Sequence, residues 1–534
     1  LGIVDTDWNK IDNWNICRLP DENDIVTIKA PVELVTHEVV KGMKFADAGE
    51  MHIADSAGMT IGSYGLELVT DGLITIDNTP NGAGFLKVDP SASHKPSGKV
   101  TVHYTTAAFN EGYARYEQWQ YMGAPGENMK ILADEDKTLI YHWDEQNGWL
   151  KQNQGSSLVP FYGYAFTQSK DTVASFSIAA TPIIPDTVQE IPLTLTPTGM
   201  GGSNVFVNSF LAPIDLSTFD DDDFEGDVEK TFYLFNSGSW IEWQNQGGAE
   251  NTMQYGVSPG QYYALSLLGA VLMDPQYDQT TIPPMQGVYV VALNNNAQIK
   301  LDYAKHVYGA EASNRPMRAP EMRDENFKRV RLQVSGKNSG ADRMYVIQYN
   351  EGTASYDNGY DAKNIMVDGQ VNIYTHEAEG QMEISVSDKI DSTYIGFRAG
   401  SDSEYTIGIT SVVGEQLYLK DLVEDKVVVL KDGEQYHFSA QPNSVNDTRF
   451  LLLDKQRSGS IEQDADEIEV YVSEETAYVK QAPVGSQIYI YTTSGVVVDG
   501  YSINCTPCTI DLSGLPAGIY VLRMNDKACK FICK

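Results

Sequence analysis

Cationic residues are scarce in this chain: 38 Lys and Arg stand against 73 Asp and Glu, for a formal net charge of -35 over 534 residues. Nucleic acids and anionic lipid surfaces are held by clustered Lys and Arg, so a field of this sign argues against both as partners. Long apolar runs are missing too, and no stretch approaches the roughly 18 to 20 residues that a membrane-spanning helix requires. The eight histidines show no pair at the spacing of a metal-binding helix, and HExxH is absent. GxSxG, a Walker phosphate loop and a helix-opening GxGxxG are absent as well, so serine hydrolase, nucleotide hydrolase and dinucleotide enzyme each lack their first residue. The chain opens on Leu1 with no signal-like run, which fits a mature or trimmed protein whose targeting segment is missing.

What is present is β-forming. With 31 Tyr and 45 Gly in a chain too long for one core, several mostly β domains are expected and little helix. Residues 1–112 carry short alternations, Ile25–Ile28, Met51–Ile53, Met59–Ile61, Leu66–Leu68, Ile74–Ile76 and Val100–Val102, separated by turn residues. Their spacing suits a β-solenoid of stacked short strands, with a β-sandwich as the competing geometry. Across 113–313 two passages look alike. Tyr141-His142-Trp143 with Trp149 precedes Pro160 to Phe166, and Tyr233-Leu234-Phe235 with Trp240 and Trp243 precedes Pro284 to Val290. This reads as a duplicated β region, lengthened between Trp243 and Gly287. After a Pro-containing linker, 321–455 has the strand density of a β-sandwich. A polar linker then leads to 467–534, a compact immunoglobulin-like sandwich. The fold class expected is all-β and multidomain.

The stretch Ile488–Tyr491, Gly495, Val497-Val498, Ile510–Ser513, Leu515–Arg523 and Lys530-Phe531 resembles the C-terminal sorting domain of Bacteroidetes type IX secretion. That resemblance implies export, surface attachment and the secretion machinery as a partner. Trp8, Asn13-Trp14, Pro20, Asp24, Val26 and Ile28 are similar to the start of adhesin-like β modules in large Bacteroidetes surface proteins. The segment containing Tyr356-Asp357 and Tyr360–Lys363 is similar to modules that precede the sorting domain in such proteins.

Cys505, Cys508, Cys529 and Cys533 depart from the sorting-domain pattern. Cys529 and Cys533 sit on a strand-like stretch that holds them too far apart to bridge each other, so each is expected to pair with Cys505 or Cys508. Two such disulfides imply an oxidising compartment; zinc and free thiols are the alternatives. Calcium is the one cofactor to consider, at Asp220 and Asp222 in an acidic run or at Asp357 and Asp361 in a Tyr/Gly-rich turn; a solvated loop and turn-amide capping are the plainer readings. Trp143, Trp149, Trp240 and Trp243 could stack on sugar rings, against the alternative of core packing. The expected function is a secreted or cell-surface, non-catalytic, adhesin-like protein whose partner is an extracellular glycan or protein. The alternatives are a glycan-binding module set and a glycosidase with an unrecognised carboxylate pair.

Overall fold

The computed structural model describes residues 5–79, 81–105, 119–131, 138–153, 156–168, 175–237, 256–267, 272–274, 280–309, 326–455, 470–473, 476–479, 487–492, 496–502, 508–524 and 527–533. They fall into two compact units, Leu1–Lys455 and Gln456–Lys534. Strands dominate both.

The chain begins as a β-solenoid, winding alternately between two parallel sheets. One holds Val32–Leu34, Met51–Ile53, Ile74–Thr79 and Val100–Thr105; the other holds Ile25–Ile28, His37–Phe45, Gly58–Glu67 and Phe85–Val88. Period-2 alternation turns every second residue inward, and parallel register then stacks like on like. Leu34, Ile53, Ile76 and Val102 form one buried ladder, and Val40, Ile61 and Val88 face them in another. Trp8 and Trp14 lie edge to face at 4.7 Å at the N-terminal end, where Trp8 N–H donates to the Glu33 carbonyl at 3.0 Å. At the other end the pairing changes sense: Ser175–Thr181 lies antiparallel on Val100–Thr105, and Glu127–Ile131 antiparallel on Ser175–Thr181.

Two four-stranded antiparallel sheets come next and share one strand order, first-fourth-second-third in chain sequence. In the first sheet the chain order is Gln120–Met122, Thr138–Asp144, Gly148–Lys151, Tyr164–Gln168. In the second it is Ser203–Val207, Val228–Phe235, Tyr262–Ser266, Gly287–Ala292. The equivalence extends to the backbone: Phe161 and Met285, each two residues ahead of the glycine that leads into the fourth strand, have φ of 62° and 70°. The sheets also grip one another reciprocally. Met122 bridges to Gln286 and Tyr162 to Phe206, while a Cβ on Gly163 would fall 2.3 Å from the Val205 carbonyl and one on Gly287 2.9 Å from the Tyr121 Cβ. Only glycine permits either approach.

Residues 328–453 form one eleven-stranded sheet. Its two edge strands, Lys426–Val429 and Gln435–Ser439, are consecutive in the chain. A sheet whose edges are joined by a short turn must fold over on itself. Its inner face accordingly encloses Val330, Leu332, Met344, Ile373, Phe397, Ile407, Leu419, Phe438 and Phe450. On the outer face Tyr345, Ile347, Ile384 and Val386 join the core of the second repeat sheet. There the Arg343–Glu383 ion pair, both side chains buried, meets the Ala264 backbone on the edge strand Tyr262–Ser266. Glu383 accepts from Ala264 N–H at 3.0 Å, and Arg343 donates to its carbonyl at 3.2 Å.

The C-terminal unit pairs Val470–Ser473, Thr476–Val479 and Cys508–Asp511 in one sheet and Val497–Ser502, Gln487–Thr492, Gly518–Met524 and Lys527–Cys533 in another. Ile488, Ile490, Ile510, Leu512, Tyr520, Leu522 and Phe531 are buried hydrophobic side chains among its described residues.

Candidate functional site

Strand alternation gives the first repeat sheet two unlike faces. One carries Met122, Ile140, Tyr164 and Phe166 into the solenoid's core. The other runs through the register row Tyr121, Ala165, Tyr141 and Lys151, with Trp143 directly opposite Trp149 two residues along. Trp119 joins this face, edge-on to Tyr141 at 5.5 Å. Trp119, Tyr121, Tyr141, Trp143 and Trp149 are all half-buried, and none contributes to a hydrophobic core among the described residues. An aromatic face held in β structure yet turned away from the core is the kind of surface that marks a ligand site.

The rings are fixed by one another. Trp143 and Trp149 meet edge to face at 5.0 Å, and the Trp143 indole N–H donates to the Ser203 carbonyl at 2.5 Å. Tyr121 lies 5.3 Å from Trp149 and stacks on Phe235 of the second repeat at 4.8 Å. Its hydroxyl meets that of Tyr262. Burial, reinforced by the Tyr262 hydroxyl, pushes the Tyr121 phenol well above its usual range, so it stays a neutral donor. Lys151 is exposed beside them and supplies the face with a cation.

The second repeat reproduces the pattern: Phe235 lies opposite Tyr262, and Tyr233 opposite both Ala264 and Tyr289. Here, however, Tyr262 and Tyr289 pack against the core. By register Tyr262, not Trp243, holds the position equivalent to Trp149, so extra chain precedes the third strand as well as following it. Trp240 and Trp243 lie outside the described residues.

The acidic candidates are engaged locally. Asp220 caps the short turn Asp221–Asp223 and pairs with Lys305 at 2.7 Å, as does Asp223 at 2.6 Å; Lys230 reaches Asp221 at 2.5 Å. The hydrogen bond from Lys305 holds Asp220 below the usual carboxylate range, while Asp222 stays exposed. Asp361 is buried, accepting from the N–H groups of Val386 at 2.7 Å and Asp357 at 2.6 Å; burial raises it to about 7. Asp357 in turn accepts from Thr353 N–H at 2.6 Å. Of the cysteines, Cys505 lies outside the described residues. The backbones of Cys508, Cys529 and Cys533 lie on strands, their side chains outside the described ones.

Residues 1–453 match the model of a family described as Domain of unknown function (DUF8693). The chain is also similar to the minor fimbrium subunit Mfa5 of Porphyromonas gingivalis, at 24% identity over 486 residues. That alignment takes in 82% of this chain and 38% of Mfa5, so the chain spans well under half the length of that relative.

Proposed function

The chain belongs to the DUF8693 family, and from that premise we propose that it is a non-catalytic, adhesin-like protein of the cell surface or exterior that binds an extracellular glycan through the aromatic face of its first repeat sheet. The observation that carries this reading is the placement of Trp119, Tyr121, Tyr141, Trp143 and Trp149 on one sheet face apart from the core. Flat, half-exposed rings match the C–H faces of pyranosides, and the hydroxyl and ammonium groups beside them match sugar hydroxyls. Similarity to a fimbrium subunit supports the surface location. The resemblance of 467–534 to a sorting domain supports export or attachment through a secretion machinery.

Full-length protein on a glycan array tests the reading. Saturable binding that falls at least tenfold in Trp143→Ala and Trp149→Ala, with unchanged circular dichroism, is expected. Binding indifferent to both substitutions would remove the face from consideration and direct the search to a protein ligand. Release of reducing sugar from an array-positive glycan would make the protein a glycosidase instead.

A further inference from the structure

Segment 351–361, which joins the strands Ala341–Gln348 and Ala362–Lys363 of the eleven-stranded sheet, is fastened to two sheets at once. On one side the Asn358 side chain accepts from Lys230 N–H at 2.8 Å and donates to the Val228 carbonyl at 2.8 Å. The Tyr360 carbonyl accepts from the Ser266 hydroxyl at 2.6 Å, so all three contacts fall on strands of the second repeat sheet. Gly359, between them, takes a φ of 100° that favours glycine. On the other side, one residue after Tyr360, the Asp361 carboxylate accepts from Val386 N–H in the eleven-stranded sheet and from Asp357 N–H, which closes the segment on itself. Asp361 is therefore the joint between the segment and the sheet beneath it.

That joint is a buried acid among acids. Asp361 is 1% exposed, and it feels like charges from Glu377 on the neighbouring hairpin and from Asp357 on its own segment. The Tyr356 phenol is coupled to Asp361, to Glu377 and to Glu229, which is buried on the second repeat sheet. Lys363 is committed to Glu229 at 3.6 Å and to the Tyr356 ring at 5.2 Å. Among the described residues no Lys or Arg pairs with Asp361. Burial raises this carboxyl to about 7, with Glu377 and Asp357 adding to the effect and the two amides opposing it. Once the segment lifts away, the carboxyl meets water and returns toward about 3.9. The docked segment thus holds a proton that the released one sheds, so docking is supported at acid pH and loses that support as pH rises through about 7.

We propose that segment 351–361 is a proton-operated strap, which binds the second repeat sheet to the eleven-stranded sheet while Asp361 carries its proton and loosens when that carboxyl ionises.

The test is hydrogen exchange of the full chain by mass spectrometry from about pH 5 to about pH 8.5, corrected for the intrinsic dependence of exchange on pH. Protection across 351–361 is expected to fall at least about tenfold over that range, with its midpoint near pH 7, while the core strand Lys328–Gly336 holds constant. Glu377→Gln removes a like charge and should move the midpoint to lower pH, and Asp361→Asn should abolish the response. Corrected protection that does not change with pH in the wild type, a response that survives Asp361→Asn, or a midpoint unmoved in Glu377→Gln overturns the proposal.

Discussion

Replacing Arg449 by leucine should open the fold in the eleven-stranded sheet. Arg449, on Val445–Leu453, donates to the Asp421 carboxylate at 2.9 Å and 3.3 Å, and to the Ser439 carbonyl of the opposite edge strand at 2.9 Å. Its guanidinium lies 4.5 Å over the Phe438 ring. Tyr436, also on that edge strand, donates to Asp421 at 3.1 Å, so the pair ties this edge to the two strands next to the other one. Asp421 is fully buried and Arg449 is 4% exposed. Removing one member of a buried pair leaves the other charged and uncompensated, which typically costs about 3–5 kcal/mol. Asp421 would keep Tyr436 and the amides of Val423 and Glu424, which places the expected loss near the lower end, about 3 kcal/mol. Urea unfolding of the full chain measures the loss, and hydrogen exchange at Gln435–Ser439 assigns it to the edge. Adding Asp421→Asn should recover part of it, since asparagine still accepts from the turn amides without a buried charge. A single-variant loss below about 1 kcal/mol, or a double variant less stable than Arg449→Leu alone, would refute this account of the pair.

Burial raises Asp361 to about 7 and Asp342 to about 6, so between about pH 4 and 7 the folded chain keeps protons that the unfolded chain has released. Their contribution to stability is therefore full below pH 4 and lost as pH rises through 6 to 7. Asp361→Asn should look less destabilising, relative to wild type, in thermal melts at pH 8 than at pH 5; equal shifts at both would discount the buried carboxyl. Desolvation lowers His306, stacked 4.0 Å from Phe219, so it works in the opposite sense and removes stability as pH falls below about 6.5. Gly163→Ala should cost about 1–3 kcal/mol by overpacking against Val205, whereas Gly62→Ala, whose Cβ would meet only ordinary contacts at 3.5 Å, should melt close to wild type. Intact mass of the extracellular protein should rise by four protons on reduction if the C-terminal cysteines are paired, and no change would return zinc or free thiols to consideration there.

The solenoid was readable because its signal is local. The alternations at Ile25–Ile28, Met51–Ile53 and Ile74–Ile76 are each complete within a few residues, and identical inward turns stack without further instruction. Met59–Ile61 and Leu66–Leu68, which read as separate strands, belong largely to the single strand Gly58–Glu67, which runs through an irregular register at Gly62–Tyr64. Trp143 and Trp149 were legible as candidates, since the short turn between them brings aromatics together on one hairpin. Tyr121 and Tyr262 were not, because their place on the same surface depends on pairing between distant strands, which composition does not encode. The strand density of 321–455 likewise pointed to two packed β layers without showing that one sheet supplies both. Nor do the single letters of His52, Asp77 and His103 suggest that one carboxylate lies beside both imidazoles, as their spacing follows no motif and only the solenoid's winding brings them together.

The reciprocal grip of the two repeat sheets bears on the order in which the chain can acquire structure. Each solenoid rung needs only the rung before it, so the N-terminal region can settle turn by turn as it leaves the ribosome. The first repeat sheet has no such freedom: the bridge from Met122 to Gln286 and the seat of Tyr121 against Gly287 wait until more than half of the chain has been made. A ring such as Tyr121 likewise lacks its stacking partner Phe235 until the first strands of the second repeat have been made. The aromatic surface is consequently among the late features to mature, and a chain interrupted before the second repeat would carry a finished spiral beside an incompletely assembled aromatic face.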